Sequence, residues 1–235
     1  SPGGMSEYLV ADLGWEGHAF SLGTDEAGFG MMFQHASLRF TDADLAVDGA
    51  WRELLKGVGE ASVDFVNGGV VIDRGQQRNE MPGRHEEKRE SGTCDRPADK
   101  QQPQQVVTED QLSELHVIEH VHIFRNELLF GLHALRQGGS LYFAYQLSQT
   151  PLLFRLILAL RPAFASVRIT PTTHVGRTPV YCFLADYAGA ASPAAAAAIA
   201  FLRDTALEGP DAFHLWHATE WDPPLLDLHA ELKPD

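Results

Sequence analysis

Ser1-Pro-Gly-Gly-Met-Ser-Glu-Tyr-Leu-Val-Ala-Asp-Leu-Gly-Trp-Glu-Gly-His-Ala-Phe-Ser-Leu22 decides how this chain is read, because it joins a glycine turn, a short helix and a strand. Pro2, Gly3 and Gly4 predict a tight turn in which two residues lack a Cβ, so backbone approaches a ligand closely or takes positive φ. Met5, Leu9 and Leu13 carry helical spacing and are expected on one face. Gly14 and Gly17 bracket a loop, and His18 to Leu22 has the length and composition of a buried strand.

Working outward, Gly23 to Gly30 reads as a glycine-bearing loop with Asp25 and Glu26. A short strand over Ala36 to Phe40 follows, ending in Thr41-Asp42-Ala43-Asp44. Trp51, Leu54, Leu55 and Val58 predict a brief amphipathic helix. Val63 to Val66 and Val70 to Ile72 are β-rich runs around Asn67-Gly68-Gly69, which fits either a hairpin or the loop after a parallel strand. Arg74 to Gln105 is polar and nearly free of large apolar residues, so it is expected to be a mobile loop that cannot offset its ordering entropy by burial. The tract Arg84 to Arg89 mixes bases with acids and reads as a solvated run or an RNA contact.

From Thr108, an N-cap residue with an acidic first turn, the pattern turns helical, and Leu115, Ile118, Val121, Leu128, Leu132 and Leu135 form a long apolar stripe. Gly138-Gly139 is expected to stop that helix, with a strand over Ser140 to Tyr145. Leu152 to Leu160 predicts a helix closed by Arg161-Pro162. Ser166 to Thr170 and Pro179 to Leu184 read as strands joined by a loop holding His174, Gly176 and Arg177. The Ala-rich run Ala188 to Ala200, a helix over Phe201 to Leu207 and an acidic-apolar tail from Trp216 to Asp235 complete the chain. This alternation of strands and helices is that of a doubly wound α/β sheet.

With 235 residues, 44% of them hydrophobic, the chain is long enough to bury a full core. No apolar run has the length of a membrane helix, no membrane partner is expected, and no secretory leader is read at the start. Eighteen basic against 32 acidic residues give a formal charge of −14, which repels nucleic acid at long range while leaving room for a local basic patch. Cys94 and Cys182 form no spacing pattern, which points away from a disulfide framework and towards an intracellular, cytoplasmic or nuclear, location. The oligomeric state is left open.

Three motifs carry a resemblance. Ser1-Pro-Gly-Gly-Met-Ser-Glu-Tyr-Leu-Val10 resembles the cofactor loop and first helix of FtsJ-like ribosomal RNA 2′-O-methyltransferases. Leu135-Arg-Gln-Gly-Gly-Ser-Leu-Tyr-Phe143 is similar to their helix-to-strand junction, and Ile169 to Leu184 to the closing hairpin of divergent, fungal-type members. The resemblance covers Ser1 to about Tyr187. It implies a Rossmann-like methyltransferase domain over residues 1–187, with an insertion at about 74–107 and a helical extension and tail over 188–235. It also implies that the sheet lacks its first strand, since the chain opens directly on the loop. S-adenosylmethionine is the implied cofactor and RNA the implied partner.

On that resemblance Ser1, Gly3 and Gly4 belong to the cofactor loop, where free N–H groups at a helix start face a polar ligand. Asp42 and Asp44 fall where the family holds the acid that accepts from the adenine amine. The residues themselves fit a turn or cap equally well. Ser21 falls where an acid binds the ribose hydroxyls and supplies one such bond. The family's Lys-Asp-Lys-Glu catalytic set is not found: the first lysine would precede Ser1, Asn67-Gly68-Gly69 stands at the aspartate, Ala144 at the second lysine, and no glutamate lies near Pro179. The implied function is therefore an S-adenosylmethionine-dependent methyltransferase with degenerate catalytic positions, or an inactive relative serving as a binding or interaction module. A third option is methylation of a small substrate with His174 as base. His116, Glu119, His120 and His122 share part of a helix, but no single face gathers the three histidines, and no metal is expected. Trp216, His217, Glu220 and Trp221 read as capping the core.

Overall fold

The computed structural model describes residues 4–21, 33–68, 109–146, 150–170, 179–204 and 223–232. The chain opens with α1 (Gly4–Glu7), which continues as a wider π turn over Tyr8–Asp12. The i to i+5 bond from Leu13 N–H to the Tyr8 carbonyl, 3.1 Å, rotates the helix surface. The face expected from Met5, Leu9 and Leu13 is therefore not the one buried: Met5 and Leu13 are exposed, and Val10 is 4% exposed.

β1 (Gly17–Ser21) and β2 (Leu38–Asp42) form a parallel pair running from Gly17 opposite Leu38 to Ser21 opposite Asp42. The expected buried strand is only half buried, and among the described residues its sheet has two strands. α2 (Ala50–Val58) follows and buries Trp51, Leu54 and Leu55, as its spacing predicts.

The second sheet is mixed, in the order β3 (Val63–Gly68), β4 (Leu135–Gln146), β6 (Pro179–Tyr187) and β5 (Phe164–Thr170). β3 and β4 are parallel, with α3 (Glu109–Ala134) between them in the chain, as the loop-after-a-parallel-strand reading of Asn67-Gly68-Gly69 expects, while the run 70–72 lies outside the described residues. β6 is antiparallel to both of its neighbours. β4 begins at Leu135, earlier than Gly138-Gly139 suggests. Between Val63↔Leu135 and Phe65↔Ser140 it takes five residue steps against two on β3, and this bulge holds Gly138 at φ 81°. The two sheets share no ladder among the described residues. Aromatic contacts link them, Trp15 edge-on to Phe65 at 5.9 Å and Phe20 edge-on to Phe130 at 5.4 Å.

One face of the four-stranded sheet is packed by helices. Phe124, Leu128, Leu129 and Leu132 of α3 join Leu141, Phe143, Cys182 and Leu184 of the sheet in one hydrophobic cluster. α4 (Thr150–Leu160), α5 (Pro193–Asp204) and α6 (Pro223–Leu232) add Leu156, Ile157, Leu160, Ala198, Leu202, Leu225 and Leu228 to it. The opposite face carries Phe65, Asn67, Tyr142, Tyr181 and Phe183, with the Tyr142 and Tyr181 rings stacked at 5.5 Å. The chain is thus mixed α/β, and among the described residues no helix is long and apolar enough to cross a membrane.

Candidate functional site

The ends of two parallel strands bring the expected ligand residues together. Ser21 closes β1 and Asp42 closes β2 in direct register, and the Ser21 carbonyl accepts from Ala43 N–H at 3.0 Å. Asp44 lies two residues on. Its Oδ1 accepts from Ala46 N–H at 2.8 Å, so one carboxylate oxygen is engaged in a turn, as a capping role requires. Asp42 is exposed and makes no side-chain hydrogen bond among the described residues, which leaves both its oxygens for a donor.

A cavity of about 760 Å³ opens between this pair of strands and α2. Phe20, Phe40, Val47 and Leu54 supply apolar wall, while Asp42 and Asp44 supply carboxylates. Its size falls within the range of small-molecule sites. Ser21 is not part of the described lining. His18 and Arg39 also face the cavity; burial, and after it Arg39, hold the His18 imidazole below its ordinary value, so it is neutral at neutral pH.

Asn126 holds the floor of this site. It is 2% exposed, and its Nδ2 donates to the Leu45 and Val47 carbonyls, each at 2.8 Å, tying the segment after Asp44 to α3. An amide with two N–H donors satisfies both carbonyls at once. Asn126 was passed over in the sequence, where it sits between the charged Arg125 and Glu127 and so looks like part of a solvated face. Glu127, 8% exposed beside it, lies near the carboxyl end of β3, its Oε2 3.6 Å from where a Cβ on Gly68 would stand.

Asn67 and Ala144, where the resemblance would put catalytic groups, lie on adjacent strands of the four-stranded sheet. Asn67 is exposed opposite Tyr142, and Ala144, 9% exposed, pairs with Tyr181. Burial, and after it Tyr181, push the Tyr142 phenol up to about 12, so it stays protonated and accepts no proton at neutral pH. An amide, an alanine and a neutral phenol leave no general base among these three side chains.

Of the other candidates, Gly4 is the first residue of α1, while Ser1 and Gly3 lie outside the described residues. So do the tract 84–89, Cys94, His174, Arg177, Trp216, His217, Glu220 and Trp221. The insertion at 74–107 and the run 70–72 fall there as well. His116, Glu119 and His120 sit on α3, with only the backbone described. Among the described residues no three His, Cys, Asp or Glu side chains gather to hold a metal ion. Cys182 is fully buried, and burial pushes its thiol up to about 12, which keeps it unreactive. No family model matches the chain, and no curated protein matches it.

Proposed function

We propose that this chain is a divergent S-adenosylmethionine-dependent methyltransferase fold of the RNA 2′-O type, keeping a nucleoside-binding edge at the ends of β1 and β2. The observation that carries the reading is the order of the strands. β1 and β2 form one parallel pair, β3 and β4 form another, and an antiparallel β6 is inserted between β4 and β5. Ligands of doubly wound sheets bind at the carboxyl ends of strands where that order reverses. Asp42 stands at the carboxyl end of β2 beside Ser21, next to a cavity with both apolar and charged walls.

A second reading has its own observation. Asn67, Ala144 and the protonated Tyr142 stand where a hydroxyl would have to be deprotonated, which favours a binding or interaction module without turnover. Tritium transfer from labelled S-adenosylmethionine to total RNA separates the two. Incorporation above that of an Asp42→Asn control supports the enzyme, and background incorporation with retained cofactor binding supports the module.

A further inference from the structure

Two arginines lie over one tryptophan, with a third bonded to the backbone of one of them, in a chain whose formal charge is −14. Trp51 of α2 is 5% exposed. The His133 ring stacks on it at 4.7 Å, and the Arg52 and Arg203 guanidinium carbons lie 4.8 Å and 5.3 Å from its ring centroid. Arg125 of α3 joins the group by donating Nη2 to the Arg203 carbonyl at 3.0 Å. α2, α3 and α5 each bring one arginine to the same spot.

Packing explains part of this arrangement. Cation–π contact holds Arg52 and Arg203 against Trp51, and Gly49 leaves space for the Arg52 head, since a Cβ there would stand 2.7 Å from Nη1. It does not use up the N–H donors, of which each guanidinium carries five. Among the described residues the Arg52 guanidinium makes no hydrogen bond or ion pair, and the neighbouring Glu53 binds Lys56 instead. Arg203 spends Nη2 on His133 Nε2 at 3.1 Å. Arg125 Nε is buried without a partner, and the carboxylate nearest Arg125, Asp48, stands at 4.0 Å and is 70% exposed. Elsewhere Arg136 and Arg161 each pair closely with a carboxylate, Asp64 and Glu231. Among the described residues the Arg52 guanidinium has no carboxylate partner, and Arg125 and Arg203 keep N–H donors beyond those already engaged.

We propose that Arg52, Arg125 and Arg203 form a binding site for a phosphate group, free or borne on an RNA backbone. Planar guanidinium forks match the oxygens of phosphate, and Trp51 holds two of them rigid before a ligand arrives. The site lies outside the cavity beside Asp42 and stands or falls independently of the cofactor reading.

The test compares melting temperature in inorganic phosphate and in chloride at matched ionic strength, which removes general screening. Arg52→Gln is the variant of choice because Arg52 is exposed and, among the described residues, its guanidinium partners nothing but the Trp51 ring; Arg52→Lys keeps the charge but not the fork. The expected result is a phosphate-specific rise in melting temperature, an apparent affinity weakened about tenfold in Arg52→Gln, and a smaller loss in Arg52→Lys. Displacement of phosphate by a short oligouridine assigns the site to an RNA backbone, and failure of displacement assigns it to free phosphate. No rise beyond chloride, or an equal rise in Arg52→Gln, overturns the proposal.

Discussion

Tyr187 supplies the missing donor at the end of α3. The last carbonyls of a helix have no partner within it. Here Tyr187 Oη donates to the Leu132 carbonyl at 2.7 Å, Ala61 N–H to that of His133 at 2.9 Å, and Ser62 N–H to that of Ala134 at 2.8 Å. The phenol is 1% exposed, so Tyr187→Phe leaves a buried acceptor unpaired and is expected to cost about 1–3 kcal/mol in urea unfolding, with no change in slope. His133 sets the pH dependence nearby. Burial, then Arg203 and also Arg52, hold its pKa below the ordinary value, with Glu60 pulling the other way. The unfolded chain therefore takes up a proton first as pH falls, so stability present above the ordinary histidine value is lost below it. Unfolding free energy is expected to fall between about pH 7.5 and about pH 5.5, and to fall less in His133→Gln, with His18 supplying a remaining share of the same sign.

At the scale of elements, Gly139 decides how closely β4 approaches β3. A Cβ there would stand 2.9 Å from the Arg136 carbonyl oxygen and 3.0 Å from that of Asp64, both backbone and unable to yield cheaply. At Gly138 a Cβ meets nothing within 4 Å, and only the positive φ opposes it. Gly139→Ala is expected to cost about 1–3 kcal/mol and Gly138→Ala about 1 kcal/mol, measured by thermal unfolding of both variants. The glycine pair was legible in the sequence as a break, but not as a bulge inside a longer strand, because register depends on the partner strand. Leu128 and Leu132 were legible from helical spacing and are fully buried, whereas Leu135, expected on the same stripe, is buried as the first residue of β4. Met5 and Leu13 misled, since a π turn shifts the period that spacing assumes.

Across the whole molecule, the sequence made the alternation of strands and helices visible, and with it the α/β class. Sheet order comes from contacts far apart in the chain, and only the coordinates give β3-β4-β6-β5 beside a separate β1-β2 pair. The candidate site divides the same way. Asp42 and Ser21 could be placed from their strands, whereas Asn126 binds carbonyls about eighty positions away, and the arginines at 52, 125 and 203 meet only after folding. The central claim is that the β1–β2 edge and its cavity hold a nucleoside cofactor. Calorimetric titration with S-adenosylmethionine tests it most directly. The account predicts saturable heat at one site per chain, weakened in Asp42→Asn; absence of heat up to millimolar ligand would contradict it.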